Sequence, residues 1–168
     1  MLTTPWEGEL PSRLAAAFPD ADLKCESYLG QNFVTISAAF VAALVLYLRD
    51  AEQFDFLVDL TAVDHPKDPA RFELVYILYS FPRNERIRVK TRIAESEAAP
   101  SITPVFAAAN WLEREVFDMF GIHFVGHPNL KRILMPEDWQ GFPLRKEASI
   151  IGMDNEWVHT HLGIESGQ

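Results

Sequence analysis

Residues 54–93 carry three successive runs with apolar side chains at every second position, and no other feature constrains the fold as much. Phe54, Phe56, Val58, Leu60 and Ala62 are placed on one face of the first strand. Phe72, Leu74, Tyr76 and Leu78 share a face of the second, and Ile87, Val89, Thr91 and Ile93 a face of the third. The links, His65-Pro-Lys-Asp-Pro69 and Phe81-Pro-Arg-Asn84, are shorter than the dozen or more residues a parallel crossover takes. The three strands are therefore expected to be antiparallel neighbours. The fold class that follows is α+β: a mainly antiparallel sheet with helices packed on one face.

The segments on either side supply those helices. Residues 11–18 read as a short helix stopped by Pro19-Asp20, and residues 23–29 and 33–36 as strands around a hairpin-like break at Gly30-Gln-Asn32. Ser37 is a candidate N-cap for a helix running to about Asp50. That helix is apolar on every side (Phe40, Val41, Leu44, Val45, Leu46, Leu48), which predicts burial over most of its circumference. Thr103-Pro104 supplies a cap and a proline at the first helical position, so a long helix is predicted from there to Phe120, stopped by Gly121. Its apolar stripe is Val105, Ala108, Ala109, Leu112, Val116, Met119 and Phe120. Glu113 and Glu115 flank that stripe, while Arg114 and Asp118 make an exposed pair four apart, worth about 0.3–0.5 kcal/mol.

Residues 121–168 hold six of the eight glycines and show no long helical or alternating pattern, yet they carry Phe124, Trp139, Phe142 and Trp157. The expected division is an α+β domain over 1–125 and an extended, irregular, partner-binding tail over 126–168. Ordering such a segment costs roughly 1–2 kcal/mol per residue, and the sheet already has helices for its apolar face. A partner is therefore the expected surface for the tail.

Composition removes several function classes. Hydrophobic content of 48% and charged content of 23% exclude disorder of the whole chain. A net charge of −9 repels a phosphate backbone, so nucleic acid is not an expected partner. The single cysteine, Cys25, excludes an internal disulfide and a four-cysteine cluster, and reads as a small apolar strand residue. The longest apolar run covers residues 38–48, short of the roughly 20 residues that span a bilayer, and the N-terminus lacks a signal-peptide pattern. A soluble, intracellular chain is expected, with membrane contact only through a partner. Glycine-rich phosphate loops, the G-x-S-x-G elbow and the H-E-x-x-H zinc motif are missing.

Two constellations remain. His123 and His127, with Asp118 and outside help from His65 or His159 and His161, are the residues a stand-alone metal-dependent enzyme would use. Arg86, Arg88, Lys90 and Arg92 alternate along one strand and share a face, which is either a solvated sheet face or a basic docking face. No aromatic residue interleaves with them to offer bases a platform.

From residue 113 to 134 the chain reads E-R-E-V-F-D-M-F-G-I-H-F-V-G-H-P-N-L-K-R-I-L. This resembles the signature of the thirty-kilodalton subunit (the C subunit) of respiratory complex I, the proton-translocating NADH:quinone oxidoreductase. Gly141-Phe-Pro-Leu-Arg-Lys-Glu147 resembles the second shared stretch of that family, and residues 54–64 its early strand. Phe142 departs from the pattern, standing where the family commonly has histidine; a protonation role would be absent here and a packing role would survive. The resemblance implies a non-catalytic hydrophilic-arm subunit lying against the forty-nine-kilodalton (D) subunit near the quinone end, peripheral on the cytoplasmic side of the membrane. It implies no cofactor in this chain, with FMN, iron–sulfur clusters and quinone held by partner subunits. Related assemblies use reduced F420, ferredoxin or hydrogenase-type modules as donor. The residues implied at interfaces are Glu113, Arg114, Glu115, Asp118, Gly121, His127, Pro128, Asn129, Leu130, Arg132, Gly141, Pro143, Leu144, Arg145 and Lys146.

Overall fold

A computed structural model of the chain describes residues 3–148 and 155–163. In chain order the elements are β1 (Thr4–Pro5), α1 (Glu9–Ala17), β2 (Lys24–Tyr28), β3 (Gln31–Thr35), a 3₁₀ turn (Ala38–Phe40) and α2 (Val41–Asp50). They continue with β4 (Phe56–Asp64), β5 (Phe72–Ser80), β6 (Glu85–Ile93), β7 (Ala99–Pro100), α3 (Ala109–Phe120), β8 (Phe124–Val125) and α4 (Asn155–Leu162). Six strands make one sheet in the order β1-β2-β3-β6-β5-β4, and β7 pairs β8 separately. Every neighbour in the large sheet is antiparallel except β3 and β6, which run parallel with Val34 opposite Val89. The α+β class with a mainly antiparallel sheet is thus what the chain adopts.

Local chemistry sets the turns. Leu29 and Gly30 both have positive φ, 50° and 72°, which suits a two-residue hairpin whose twist matches its strands. Asn84, at φ 51°, closes the β5–β6 turn, where a left-handed residue is tolerated best by asparagine or glycine. Leu10 and Leu14 of α1, Val41, Leu44, Val45 and Leu48 of α2, and Val116, Met119 and Phe120 of α3 join one core with the inward side chains of β3 to β6. Each large apolar side chain taken from water there contributes roughly 1.5–3 kcal/mol.

The alternation of β5 and β6 is as expected, with Phe72, Leu74, Tyr76, Leu78, Ile87, Val89, Thr91 and Ile93 all buried. The first strand differs. A register shift between Leu57 and Asp59 inverts the face, so Leu57, Leu60 and Ala62 point inward while Phe56 and Val58 are exposed. Asp59 stabilises the irregularity by accepting the Leu60 N–H at 2.8 Å.

Both long helices also differ from expectation. α2 buries one face only, and Leu46 is 41% exposed. α3 begins at Ala109, six residues after Thr103. Over residues 102–108 the chain makes tight turns instead, with Val105 and Phe106 both donating to the Ile102 carbonyl. The Thr103 hydroxyl pairs with Ser101 rather than capping a helix. The rest of the stripe changes accordingly: Val105 lies before the helix and Ala108 is exposed. Cys25 sits half-buried in β2 opposite Val34, and burial pushes its thiol up to about 11.

Candidate functional site

The signature residues gather where α3 ends, and Asp118 is their centre. Gly121 caps the helix at φ 76°, its N–H reaching the Phe117 carbonyl at 2.8 Å, and the chain turns back along α3. Asp118 is fully buried beneath that returning segment. Its Oδ2 accepts three successive backbone N–H groups, from Ile133 (2.9 Å), Leu134 (2.7 Å) and Met135 (2.9 Å). Its Oδ1 takes Nη1 of Arg132 at 2.7 Å. Burial alone would raise this carboxyl, but the three N–H groups and the guanidinium outweigh it and hold it below the usual range. The expectation of an exposed Arg114–Asp118 pair is therefore corrected. Arg114 instead donates to the carbonyls of Lys131 and Arg132, both at 3.1 Å. Arg132 also reaches the Gly141 carbonyl at 3.0 Å.

A second carboxylate fixes the end of the segment. Asp64, at the end of β4, takes Arg71 through both oxygens (2.8 and 3.0 Å) and the Lys146 N–H at 2.7 Å. The Arg71 hydrogen bond first, and then the Lys146 N–H, hold this carboxyl low against burial. Arg71 also bonds Glu95 and Glu147, and Arg145 joins the group through Glu95 at 2.6 Å and the Phe120 carbonyl at 2.6 Å. Leu144 donates its N–H to the Met119 carbonyl. Phe142 packs between the guanidinium groups of Arg132 and Arg145, 5.5 and 4.6 Å from its ring centroid. A Cβ on Gly121 would stand 2.5 Å from that ring, so glycine is required there by contact as well as by φ.

Residues 126–148 are irregular, as expected, but they lie on their own domain. The expectation that this segment lacks a surface within the chain is corrected: Asp118, Asp64 and the last carbonyls of α3 supply it. Leu130 and Met135 pack against the domain core. Pro128 is exposed and Pro143 half-buried. Beyond residue 148 the described chain is α4, where Trp157 meets Trp139 edge-on at 5.2 Å.

Glu113 is fully buried and acts apart from Asp118. It accepts from the Ser101 hydroxyl and the Ile102 N–H, both at 2.7 Å, which anchors the turns before α3. Burial pushes its carboxyl above the usual range despite those bonds. Glu115 is exposed. His127 accepts the Asn129 N–H at Nδ1, which places its own proton on Nε2, facing the Asn110 carbonyl at 3.0 Å. Both nitrogens are thus engaged with backbone, while His123 lies edge-on to Phe117. Among the described residues no group of three His, Cys, Asp or Glu is arranged to hold a metal ion. Of the outside help named for that reading, His161 lies outside the described side chains.

The basic ladder divides in two. Lys90 pairs with Glu73 at 3.3 Å and Arg92 with Asp68 at 2.9 Å, whereas Arg86 and Arg88 have no ion pair among the described residues. Neighbouring strands also bring aromatics to this face, with Phe33 under Lys90 and Tyr79 opposite Arg86, so the reading of an aromatic-free face is corrected. Sequence reasoning missed Trp111. It is 61% exposed on α3 and stacked by Arg114, a spacing of three that could have flagged it.

The site is chemically a latch: carboxylates and arginines fix an irregular segment, leaving Leu134 and Leu144 exposed while Leu130 and Met135 pack on the core. That defines an α+β domain whose signature residues hold its own C-terminal segment in place. A family model described as respiratory-chain NADH dehydrogenase, 30 Kd subunit, matches residues 34–153, and the chain belongs to this family. The NADH-quinone oxidoreductase C subunit of Citrifermentans bemidjiense is 43% identical over 145 residues, covering 86% of this chain and 90% of that protein. The protein of the same name from Rhodobacter capsulatus is 45% identical over 146 residues, covering 86% and 73%. Among solved structures, a chain of the membrane-bound sulfane sulfur reductase, an archaeal respiratory membrane complex, superposes with a TM-score of 0.72. At 24% identity over 92% of this chain and 90% of that one, it shares the fold.

Proposed function

We propose that the chain is the C subunit, of the thirty-kilodalton-subunit family, that serves assembly in a proton-translocating NADH:quinone oxidoreductase, docked on the forty-nine-kilodalton (D) subunit on the cytoplasmic side of the membrane. Such a complex passes electrons from NADH through FMN and iron–sulfur clusters to quinone. This chain's part is positional, its single cysteine being insufficient for a four-cysteine cluster. Among the described residues no helix is long and apolar enough to cross a membrane. Membrane contact through the rest of the complex is part of the same proposal.

The observation that carries the reading is what the latch displays. Trp111, Val125, Leu134 and Leu144 are large apolar side chains left exposed on or beside the segment that Asp118 and Asp64 hold rigid. A fixed aromatic surrounded by ordered backbone is what anchors protein interfaces, because little side-chain freedom is lost on docking. The test is co-expression with the forty-nine-kilodalton subunit of the same complex. The chain is expected to co-purify, and Trp111→Ala with Leu134→Ser to abolish co-purification while leaving the free chain folded by circular dichroism. Undiminished co-purification of that variant would overturn the proposal.

A further inference from the structure

On the face of the sheet opposite its helices, Arg86 and Arg88 have no carboxylate partner among the described residues, although the chain as a whole carries a net charge of −9. The carboxylates of the neighbourhood bond other partners, Glu85 and Glu73 those of opposite charge, Asp59 and Glu26 neutral donors that leave their charge in place. Glu85 holds Arg83 at 2.9 Å, Glu73 holds Lys90, Asp59 accepts the Leu60 N–H, and Glu26 takes the Thr3 hydroxyl. The two arginines line a cavity of about 300 Å³ together with Gln31, Asn32, Tyr79 and Asn84. The lining is rich in donors, and none of these residues is acidic.

Beside this cavity lies an aromatic cluster. Phe56, Tyr79 and Arg86 are register partners across β4, β5 and β6, so they form one row on this face. Phe81 packs edge-on against Tyr79 at 5.0 Å and Phe56 at 5.7 Å, and remains 65% exposed. The row from Arg86 to Phe56 spans two strand spacings, about 9.6 Å. A segment lying along β6 over Arg88 and Arg86 runs on toward the β5–β6 turn, where Phe81 packs against Phe56, so a later side chain on the same face of the segment meets this cluster. Arg86 and Arg88 themselves are two residues apart, about 7 Å, the repeat of alternate side chains in such a segment.

We infer that this end of the open sheet face takes an extended acidic segment of a partner subunit, its carboxylates on Arg86 and Arg88 and an apolar side chain on Phe56 and Phe81. The inference rests on the assembly reading above and adds a second, electrostatic contact on a different face. Arginine is suited to it because its planar fork binds carboxylate bidentately. Lys90 and Arg92, already compensated within the sheet, are outside the contact.

The test compares two paired variants of the full chain in its parent complex. Arg86→Gln with Arg88→Gln is expected to weaken retention at least ten-fold at low ionic strength, the gap narrowing as salt is raised. Lys90→Gln with Arg92→Gln is expected to stay within two-fold of the unaltered chain. Equal effects of the two pairs, or no loss from the first, would overturn the inference. Trp111→Ala distinguishes the two readings: if it disrupts assembly while the Arg86/Arg88 pair does not, only this inference falls, and if neither disrupts it, the assembly reading falls as well. A synthetic extended peptide with Glu at two alternate positions and Phe at the next alternate one, polar residues between them, should bind the free chain through Arg86 and Arg88. A single-stranded oligonucleotide of equal charge binding there as tightly would overturn the commitment to a protein segment.

Discussion

Asp118→Asn and Glu113→Gln are the same chemical change on one helix, and the structure assigns them opposite consequences. At position 118 four donors converge on the carboxylate, three of them backbone N–H groups and the fourth the Arg132 guanidinium. An amide offers one acceptor where two are needed, so either the three N–H groups or the guanidinium must face an NH₂ group. Breaking a buried ion pair from one side costs about 3–5 kcal/mol. At about 1.4 kcal/mol per factor of ten, that is roughly two to four powers of ten in the opening equilibrium of the segment. At position 113 burial already favours the protonated carboxyl. A glutamine there presents its oxygen to Ile102 N–H and its NH₂ to the Ser101 hydroxyl, which can turn to donate to Thr103. The expected cost is under about 1 kcal/mol, the net worth of one ordinary hydrogen bond. Amide hydrogen exchange at residues 133–135 reads both variants. Accelerated exchange is expected for D118N and near-native exchange for E113Q; unchanged exchange in D118N, or a larger effect in E113Q, would refute the reasoning.

Gly121→Ala should loosen residues 142–145, because a methyl there costs about 1–2 kcal/mol in a left-handed conformation and meets the Phe142 ring; limited proteolysis within that stretch is the readout. Phe142→His should preserve packing near neutral pH. The introduced imidazole sits between Arg132 and Arg145, so its pKa is depressed, and the segment should open as pH falls below about 6.5, seen in the amide resonances of residues 141–146. In the unaltered chain Asp118 and Asp64 titrate below their ordinary range. Their contribution is complete above about pH 4 and is lost as pH falls through the lowered folded values, so exchange at residues 133–135 and 146 should rise there before the sheet unfolds.

Periodicity served where the strands are regular. β5 and β6 keep one pairing register throughout, so alternate positions in the sequence are alternate faces in space. It failed in β4, where a shift between Leu57 and Asp59 reverses parity, a backbone event that no apolar pattern encodes. Thr103-Pro104 has the local chemistry of a helix start, but Glu113, eleven residues away, claims the Ile102 N–H and holds the chain in turns. Asp118 reads as exposed on a helical wheel because the wheel knows nothing of the strand of chain that returns over it. The family resemblance singled out Asp118, Arg132, Arg145 and Gly121, which the folded chain brings together, while their work on one another required the tertiary contacts. Trp111 escaped notice because its one cue, Arg114 three residues on, is a common helical spacing that does not by itself mark an exposed aromatic.

The latch joins residues far apart in the chain: Asp64 and Lys146 are separated by 82 positions, and Arg71 and Glu147 by 76. Closing a loop of that length costs roughly 4 kcal/mol of chain entropy, which only a preformed receptor can offset. The carboxylate and arginine that receive the tail stand at the end of β4 and the start of β5, so they come into position when those two strands pair. The Lys146 end of the tail is therefore expected to close after the β4–β5 hairpin is in register, whereas the contacts from Asp118 to residues 133–135 span only 15 to 17 positions. Leu134 and Leu144 are presented in their fixed arrangement only by a chain that has already folded correctly, so on the docking proposed above the same contacts would also check the chain before a partner recruits it.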